Sequence, residues 1–332
     1  MATLPKVEDL DYIQFLVASQ TAFSCNEAAR CSGVTDDTPA HDAFTRLLAR
    51  RPPDIEALWN EVEPFVNKTS GLLIIDDSTL DKPHARFMDL VGWHWSGKHK
   101  ATVRGINLTS LVWTDGGTCL PIDCRVYDKP TSGLDKNDYF RAMITTAKER
   151  GFTPEYVSFD GWYSGLANLK HLRDLDWRWL TRLKSNRQVD PDRTGNVDIE
   201  NIEIGDEGRI VHLKGYGMVK VFRIVTDFDE ADHWATDDLT MTEASRQELA
   251  RQAFAIENYH RALKQYCAVE KCQARSALAQ KNHILFSLRT FVRLEVVRLR
   301  TGVSWQNTKL EIIREAVRRR CSAGDLLRAT CA

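Results

Sequence analysis

Three stretches of the 332-residue chain bring carboxylates to places where they could do chemistry. Gly71-Leu72-Leu73-Ile74-Ile75-Asp76-Asp77 is a short apolar run that ends in two of them. Glu155-Tyr156-Val157-Ser158-Phe159 is a second run, and it ends at Asp160. Ala255 to Gln265 has helical spacing and carries Glu257. Carboxylates gathered at one point repel each other, so such a cluster is costly unless cations neutralise it. Two Mg²⁺ or Mn²⁺ ions about 4 Å apart would do so, and such a pair performs in-line phosphoryl transfer. These ions prefer oxygen ligands, so neither His nor Cys is required. One of Asp76 and Asp77, together with Asp160 and Glu257, is the candidate ligand set. Side chains alternate along a strand, so only one of the neighbouring aspartates can face the site.

On the helical stretch Glu257, His260, Arg261 and Lys264 recur at i, i+3, i+4 and i+7 and share a face. Ile256, Tyr259 and Leu263 form an apolar stripe beside it. Cations one and two turns beyond a metal-binding carboxylate suit phosphates next to that metal. Alone, the pattern equally fits a surface helix with a Glu257–Arg261 ion pair. The two upstream strand ends decide between these readings.

Those strand ends need a scaffold that brings them together. Residues 81–101 read as a polar, aromatic loop containing Trp93-His94-Trp95. Thr102 to Trp113 and Thr118 to Tyr127 read as two strands joined through Asp115-Gly116-Gly117, a hairpin signal. Lys136 to Arg150 is a helix, the strand ending at Asp160 follows, then a Gly161 turn and a helix through Leu175. Trp177 to Leu183 is a further strand. Three strands, helix, strand, helix, strand is the order of an RNase H-like α/β fold, in which the two carboxylate-bearing strands lie side by side. Residues 186–239 read as a β-rich insertion with runs at Gly208–Leu213 and Met218–Thr226. Thr240-x-x-Glu243 is a capping box expected to open the helix that carries Glu257.

The ends of the chain read as helical. Residues 1–70 hold helical spacing at 11–17, at 23–30 with Ser24 as N-cap and Glu27 as its reciprocal partner, and at 41–51. This module is a candidate DNA-binding helix-turn-helix. Pro52-Pro53 ends it, and Ile55 to Val66 reads as a connecting helix. From 277 onward Ile284, Leu288, Phe291, Val292, Val296 and Leu299 face one way and several arginines the other. The expected division is thus 1–70 helical, 71–185 and 240–275 catalytic core, 186–239 insertion, and 276–332 basic and helical.

The net charge of −1 hides an asymmetry. Residues 261–320 hold fourteen Lys/Arg against four Asp/Glu, and residues 190–243 hold five against fourteen. The basic block is where a polyanion would bind. The sequence holds neither a transmembrane-length apolar run nor a basic-then-apolar leader, so a cytosolic protein with reduced thiols is expected. Cys119-x4-Cys124 and Cys267-x4-Cys272 lack the His pairs and tight spacing of zinc sites and read as buried thiols.

The chain resembles the DDE transposases of bacterial insertion sequences, in the cut-and-paste group with a β-rich insertion ahead of the catalytic glutamate. The resemblance rests on Ile75-Asp76-Asp77-Ser78-Thr79, on Phe159-Asp160-Gly161-Trp162-Tyr163 followed by Leu180 to Ser185, and on Ile256 to Lys264. The last matches the Glu-x6-Lys half of the group's Tyr-x2-Arg-x3-Glu-x6-Lys signature, whose Tyr and Arg fall here on Ala250 and Ala253. The resemblance implies Asp77, which precedes Ser78, with Asp160 and Glu257 as catalytic groups and ligands of two Mg²⁺ or Mn²⁺ ions. It implies nicking of double-stranded DNA at transposon ends, strand transfer of the 3′-hydroxyl into target DNA, and a homodimer on DNA within the bacterial nucleoid. Arg261 and Lys264 would contact terminal phosphates, and Lys271, Arg275, Lys281, Arg289 and Arg293 further backbone. A catalytically inactive DNA-binding relative and an RNase H-like nuclease without strand transfer are the alternatives.

Overall fold

The computed structural model describes residues 5–33, 38–97, 99–225 and 231–322. Two units divide the chain: Met1–Glu61 with Leu80–Ile106 and His260–Ala332, and Val62–Thr79 with Asn107–Tyr259.

The second unit is organised on β1 (Leu72–Asp81), whose first eight residues belong to it. Leu72 to Ile75 are apolar at every position and all four are buried, as a central strand covered on both faces requires. The strand is entered through Gly71 at φ +83°, where a Cβ would lie 2.6 Å from the Thr114 carbonyl oxygen. Only glycine fits there. β1 lies between β3 (Ala101–Thr114) and β5 (Tyr156–Phe159). β4 (Cys119–Val126) returns antiparallel on β3, as the Asp-Gly-Gly hairpin predicts. A short α5 (Lys129–Ser132) leads into α6 (Lys136–Glu149), which crosses to β5, parallel to β1. α7 (Leu166–Asp174) then crosses to β6 (Trp179–Leu183), parallel to β5. On α6, Phe140 sits edge-on to Phe159 with centroids 5.1 Å apart and stacks on Tyr163 at 5.6 Å. Those contacts hold the end of β5 against the helix layer.

The insertion does not stand apart from this sheet. Beyond β6 come β11 (Ala231–Thr236), β10 (Gly217–Val225), β9 (Arg209–Leu213), β7 (Gln188–Asp190) and β8 (Val197–Asp198) in the same sheet. β11 pairs antiparallel with β6, Trp234 opposite Arg182. The sequence reading has no strand at 231–236, because its six residues alternate only weakly and sit among acids. Thr226 lies outside the described residues. Thr240 does not open the next helix: its hydroxyl donates to Asp238 Oδ1, and Thr242 is the N-cap, accepting from the Ser245 amide. The expected single helix is two, α8 (Glu243–Ala253) and α9 (Ala255–Tyr266), broken at Phe254.

The first unit is helical. α1 (Asp9–Ala18), α2 (Cys25–Cys31), α3 (His41–Arg50) and α4 (Ile55–Val62) come first, α4 ending at the boundary, so that the 3-10 turn at Glu63–Phe65 falls in the second unit. α10 (Ala277–Thr301) and α11 (Trp305–Ser322) close the described chain, and residues 323–332 lie outside it. Ser24 caps α2 as expected, while Glu27 pairs with Arg30. Tyr12, Ile13, Leu16, Phe44, Leu47 and Phe286 share one core. The two-sided reading of α10 fails: residues 279–295 of this helix are buried almost all round, because the N-terminal helices cover the side that the arginines occupy. The stretch read as a loop at 81–101 holds β2 (Gly92–Ser96), antiparallel to the start of β3. Among the described residues no helix is long and apolar enough to cross a membrane.

Candidate active site

The parallel pair β1–β5 runs in register from Leu72 opposite Tyr156 to Ile75 opposite Phe159. The next residues on the two strands are Asp76 and Asp160. In-register neighbours on parallel strands turn their side chains to the same face. Asp77, one residue on, turns to the other. The sequence reading favours Asp77; the register instead carries Asp76 to Asp160.

Electrostatics separates the two aspartates in the same way. Burial pushes the Asp76 carboxyl well up, the neighbouring Asp77 adds to the rise, and Glu257 and Asp160 raise it further. Asp76 therefore feels both other carboxylates of the candidate set. Burial would also raise Asp77, but the Lys136 ammonium and hydrogen bonds from Asn107 and Tyr163 outweigh it and hold that carboxyl low. Lys136 Nζ and Asn107 Nδ2 donate to Asp77 Oδ2 at 2.9 and 2.5 Å, and the Tyr163 hydroxyl donates to Oδ1 at 3.0 Å. Asp77 is a satisfied anion inside a structural network. Asp76 is a half-buried carboxylate among like charges.

Asp160 is exposed, caps the 3-10 turn at Gly161 through the backbone amide at 2.7 Å, and lies 3.5 Å from Arg182 Nη2. Arg182 also reaches Asp232 at 3.2 Å and stacks over Trp234 at 5.6 Å. Trp162 is 58% exposed next to Asp160, with Lys184 Nζ 5.5 Å over its ring. Glu257 is exposed in the first turn of α9, while Ile256 and Tyr259 are buried, as the apolar stripe predicts. The Tyr259 hydroxyl lies 3.3 Å from Ser110 Oγ on β3, which fixes this end of the helix on the sheet. His260 is buried, so the shared face with Glu257, Arg261 and Lys264 holds for only three of the four. It lies within one turn of Ile256 and Leu263, at the border of the apolar stripe.

Arg261, Lys271 and Arg275 are exposed in the first unit, and Lys264 pairs with Glu270 at 3.5 Å. Arg289 and Arg293 are not free for a DNA backbone. Arg289 is buried and bonded to Glu61 and Asp9, and Arg293 is bonded to Glu61. In the N-terminal module Arg46 pairs with Asp42, Arg50 with Glu8 and Arg51 with Asp9. Cys119, Cys124, Cys267 and Cys272 are buried free thiols.

The donor set of Asp76, Asp160 and Glu257 is all oxygen and mutually repulsive, which suits a hard divalent cation. Among the described residues no three His, Cys, Asp or Glu side chains stand close enough to hold a metal ion together. The backbone register and the repulsion felt by Asp76 are therefore what connects the three, rather than a closed cage.

Sequence reasoning missed Asn107, Lys136 and Tyr163. Each left a trace: Asn107 interrupts an apolar strand, Lys136 opens a helix behind the Asp135 cap, and Tyr163 follows Asp160 by three residues.

Residues 67–292 match the family described as Transposase DDE domain. The chain belongs to that family. DDE transposases cut DNA and transfer strands, this chain is such an enzyme, and the family is generally dependent on divalent metal. Among solved structures, the piggyBac transposase synaptic complex with hairpin DNA is 11% identical, with a TM-score of 0.52 over 99% of this chain and 75% of that one. At that identity the likeness speaks for the fold, an RNase H-like transposase core. The Drosophila P element transposase strand transfer complex is 6% identical over 95% of this chain and 86% of that one, and its TM-score of 0.30 is too low to bear on the fold. No curated protein is detectably similar by sequence.

Proposed function

We propose that Asp76, Asp160 and Glu257 are the catalytic carboxylates of this DDE transposase and that they hold two Mg²⁺ or Mn²⁺ ions. The single observation that carries the choice of Asp76 is the β1–β5 register, which runs on from Ile75 and Phe159 to Asp76 and Asp160. The repulsion that Asp76 receives from Asp160 and Glu257 supports it. Bound there, the metal pair supplies activation of an attacking hydroxyl and stabilisation of the leaving oxygen. The chain's own groups do the rest. Asn107, Lys136 and Tyr163 anchor Asp77 and so fix the end of β1 that carries Asp76. Arg182 and Lys184 offer cations on the exposed strand end beside Asp160, suited to DNA phosphates. Trp162 offers an exposed ring at the same place.

Within this reading, residues 71–185 and 240–275 form the catalytic core and 186–239 the insertion. The DNA-binding role proposed for Arg261, Lys264, Lys271 and Arg275 rests on their position on and just after α9. A homodimer on paired transposon ends, in a bacterial nucleoid, is the assembly the Glu-x6-Lys resemblance favours.

The test is cleavage and joining of a labelled duplex carrying the element's terminal sequence, with Mg²⁺ and with a chelator. Nicking and joined products that vanish with chelator and in both Asp76→Asn and Glu257→Gln support the proposal. Cutting without joining points to a nuclease. Salt-sensitive binding with no cutting by any form of the protein points to an inactive DNA-binding relative.

A further inference from the structure

We propose that the β2–β3 hairpin of the first unit is a binding site for unpaired DNA bases. The proposal rests on the reading of this chain as a DNA-handling enzyme, and it goes beyond that reading by assigning a second nucleic-acid contact. Trp93 and Trp95 are each 68% exposed. They are two residues apart on β2, so both rings stand on one face of the hairpin. Their cross-strand partners on β3 are Arg104 and Thr102, which share that face. The Arg104 guanidinium lies 6.0 Å over the Trp93 ring. Large aromatic side chains with this exposure are not there for the core.

Charge selects the partner. Residues 83–106 contain Arg86, Lys98, Lys100 and Arg104 against one acid, Asp89. Asp89 is exposed but engaged at the start of α10, where its Oδ2 accepts from the Ala277 amide at 2.9 Å. The segment is thus net cationic and carries two exposed rings. A basic surface with interleaved aromatic rings is the chemistry that binds single-stranded nucleic acid, because every unpaired base has a π-face and every nucleotide a phosphate. A paired duplex hides its base faces and would engage the cations alone. A second copy of this chain would meet like charge.

Among the described residues β2 has one strand neighbour in the sheet, β3, and no strand pairs with its other edge. An exposed apolar edge strand without a partner is an aggregation hazard. Stacked bases would cover the two rings without pairing that edge. The geometry thus favours a nucleic-acid ligand that lies on the face rather than a strand that adds to the side.

The experiment compares the full-length wild type with the double variants Trp93→Ala/Trp95→Ala and Trp93→Phe/Trp95→Phe. The probes are a labelled oligo-dT strand and a labelled duplex of mixed sequence, read by fluorescence anisotropy at fixed salt. The alanine pair should lose single-strand affinity by about tenfold or more, since each base–ring stack contributes roughly 1–3 kcal/mol. Its duplex affinity should change less than about twofold, and the phenylalanine pair should keep most single-strand binding. Unchanged single-strand affinity in the alanine pair overturns the proposal. So does a fall from dimer to monomer with no change in single-strand binding, which would make the hairpin an interface between copies. If the wild type neither binds duplex nor cuts DNA, the transposase reading fails instead, and the duplex arm reports that separately.

Discussion

Asp76 follows Ile75 and Asp160 follows Phe159, and Ile75 and Phe159 are register partners in the parallel pair β1–β5. The register therefore leads on to Asp76 on one strand and Asp160 on the other, with Asp77 one residue further. The two carboxylates next to each other in sequence have opposite environments. Asp77 is neutralised by Lys136, whereas Asp76, equally half-buried, feels the repulsion of Asp77, Glu257 and Asp160.

Substituting each aspartate by asparagine should separate their roles. Asp76→Asn should abolish metal-dependent cleavage while leaving the thermal midpoint unchanged or raised, because a partly desolvated carboxylate repelled by its acidic neighbours is removed. The activity loss should exceed the ~10–100-fold that follows from removing a group behind a metal ligand. Asp77→Asn strips the counter-charge from Lys136 and should cost about 1–3 kcal/mol of stability. Urea unfolding and cleavage of an end-bearing duplex measure both. An Asp77→Asn protein that is stable yet inactive, beside an active Asp76→Asn, would reverse the assignment.

Much of this was legible in the sequence, for identifiable reasons. Leu72 to Ile75 is a continuous apolar run of the kind that only a central strand uses, so β1 and its carboxylate end could be read directly. The spacing of Ile256, Tyr259 and Leu263 likewise fixed which side of α9 is buried. Register is a long-range property, set by how Tyr156 to Phe159 dock on β1, and no local pattern encodes it. The same limit hid the partners of the arginines. Arg289 looks like a surface cation until Glu61 and Asp9, distant in sequence, are seen to enclose it. β2 escaped because five residues with two exposed tryptophans do not resemble a buried strand.

Acid should weaken the first unit through one histidine. His283 is buried; its Nδ1 lies 3.0 Å from the Tyr12 hydroxyl and its Nε2 2.9 Å from the Ala268 carbonyl. Nε2 must donate to the carbonyl and Nδ1 accept from tyrosine, so the neutral ring fits. Burial, opposed by the Ala268 bond and aided by Lys82, lowers its pKa from 6.5 to about 4. Between those values the unfolded chain binds the proton and the folded one does not, so stability falls as pH drops from 6.5 towards 4. The loss should total about 3 kcal/mol. His283→Gln should flatten that part of the pH–stability curve. A histidine resonance that titrates near 6.5 in the folded protein would sink the idea.

Thiol labelling should divide the cysteines sharply. Burial pushes Cys267 and, with Asp123 beside it, Cys124 up to about 12. At pH 8 only about one in ten thousand of such thiols is ionised. Cys31 and Cys321 are exposed. Iodoacetamide followed by peptide mapping should modify Cys31 and Cys321 within minutes and leave Cys124 and Cys267 unmodified until urea is added. Rapid native labelling of either buried thiol would contradict the packing around it.

Glu61 should matter more to stability than its place at the end of α4 implies. Its Oε1 accepts from Arg289 Nε and Nη2 at 3.0 and 2.7 Å and from Arg293 Nη2 at 2.9 Å, and its Oε2 accepts from Arg293 Nη1 at 2.7 Å. Arg289 reaches Asp9 with its remaining nitrogen at 2.8 Å, and Asp9 also holds Arg51. Only 8% of the Arg289 side chain is exposed, so its charge depends on these acids. Glu61→Ala leaves a buried guanidinium half paired, which costs about 3–5 kcal/mol when one partner of a buried pair is removed. Replacing the cation instead, as Arg289→Met, removes the charge that needs compensation and keeps apolar volume, so it should cost less. Denaturant midpoints with an unchanged slope would report these differences. Equal losses for the two variants would mean that the packing of the arginine stem, rather than the burial of its charge, ties α10 to the N-terminal helices.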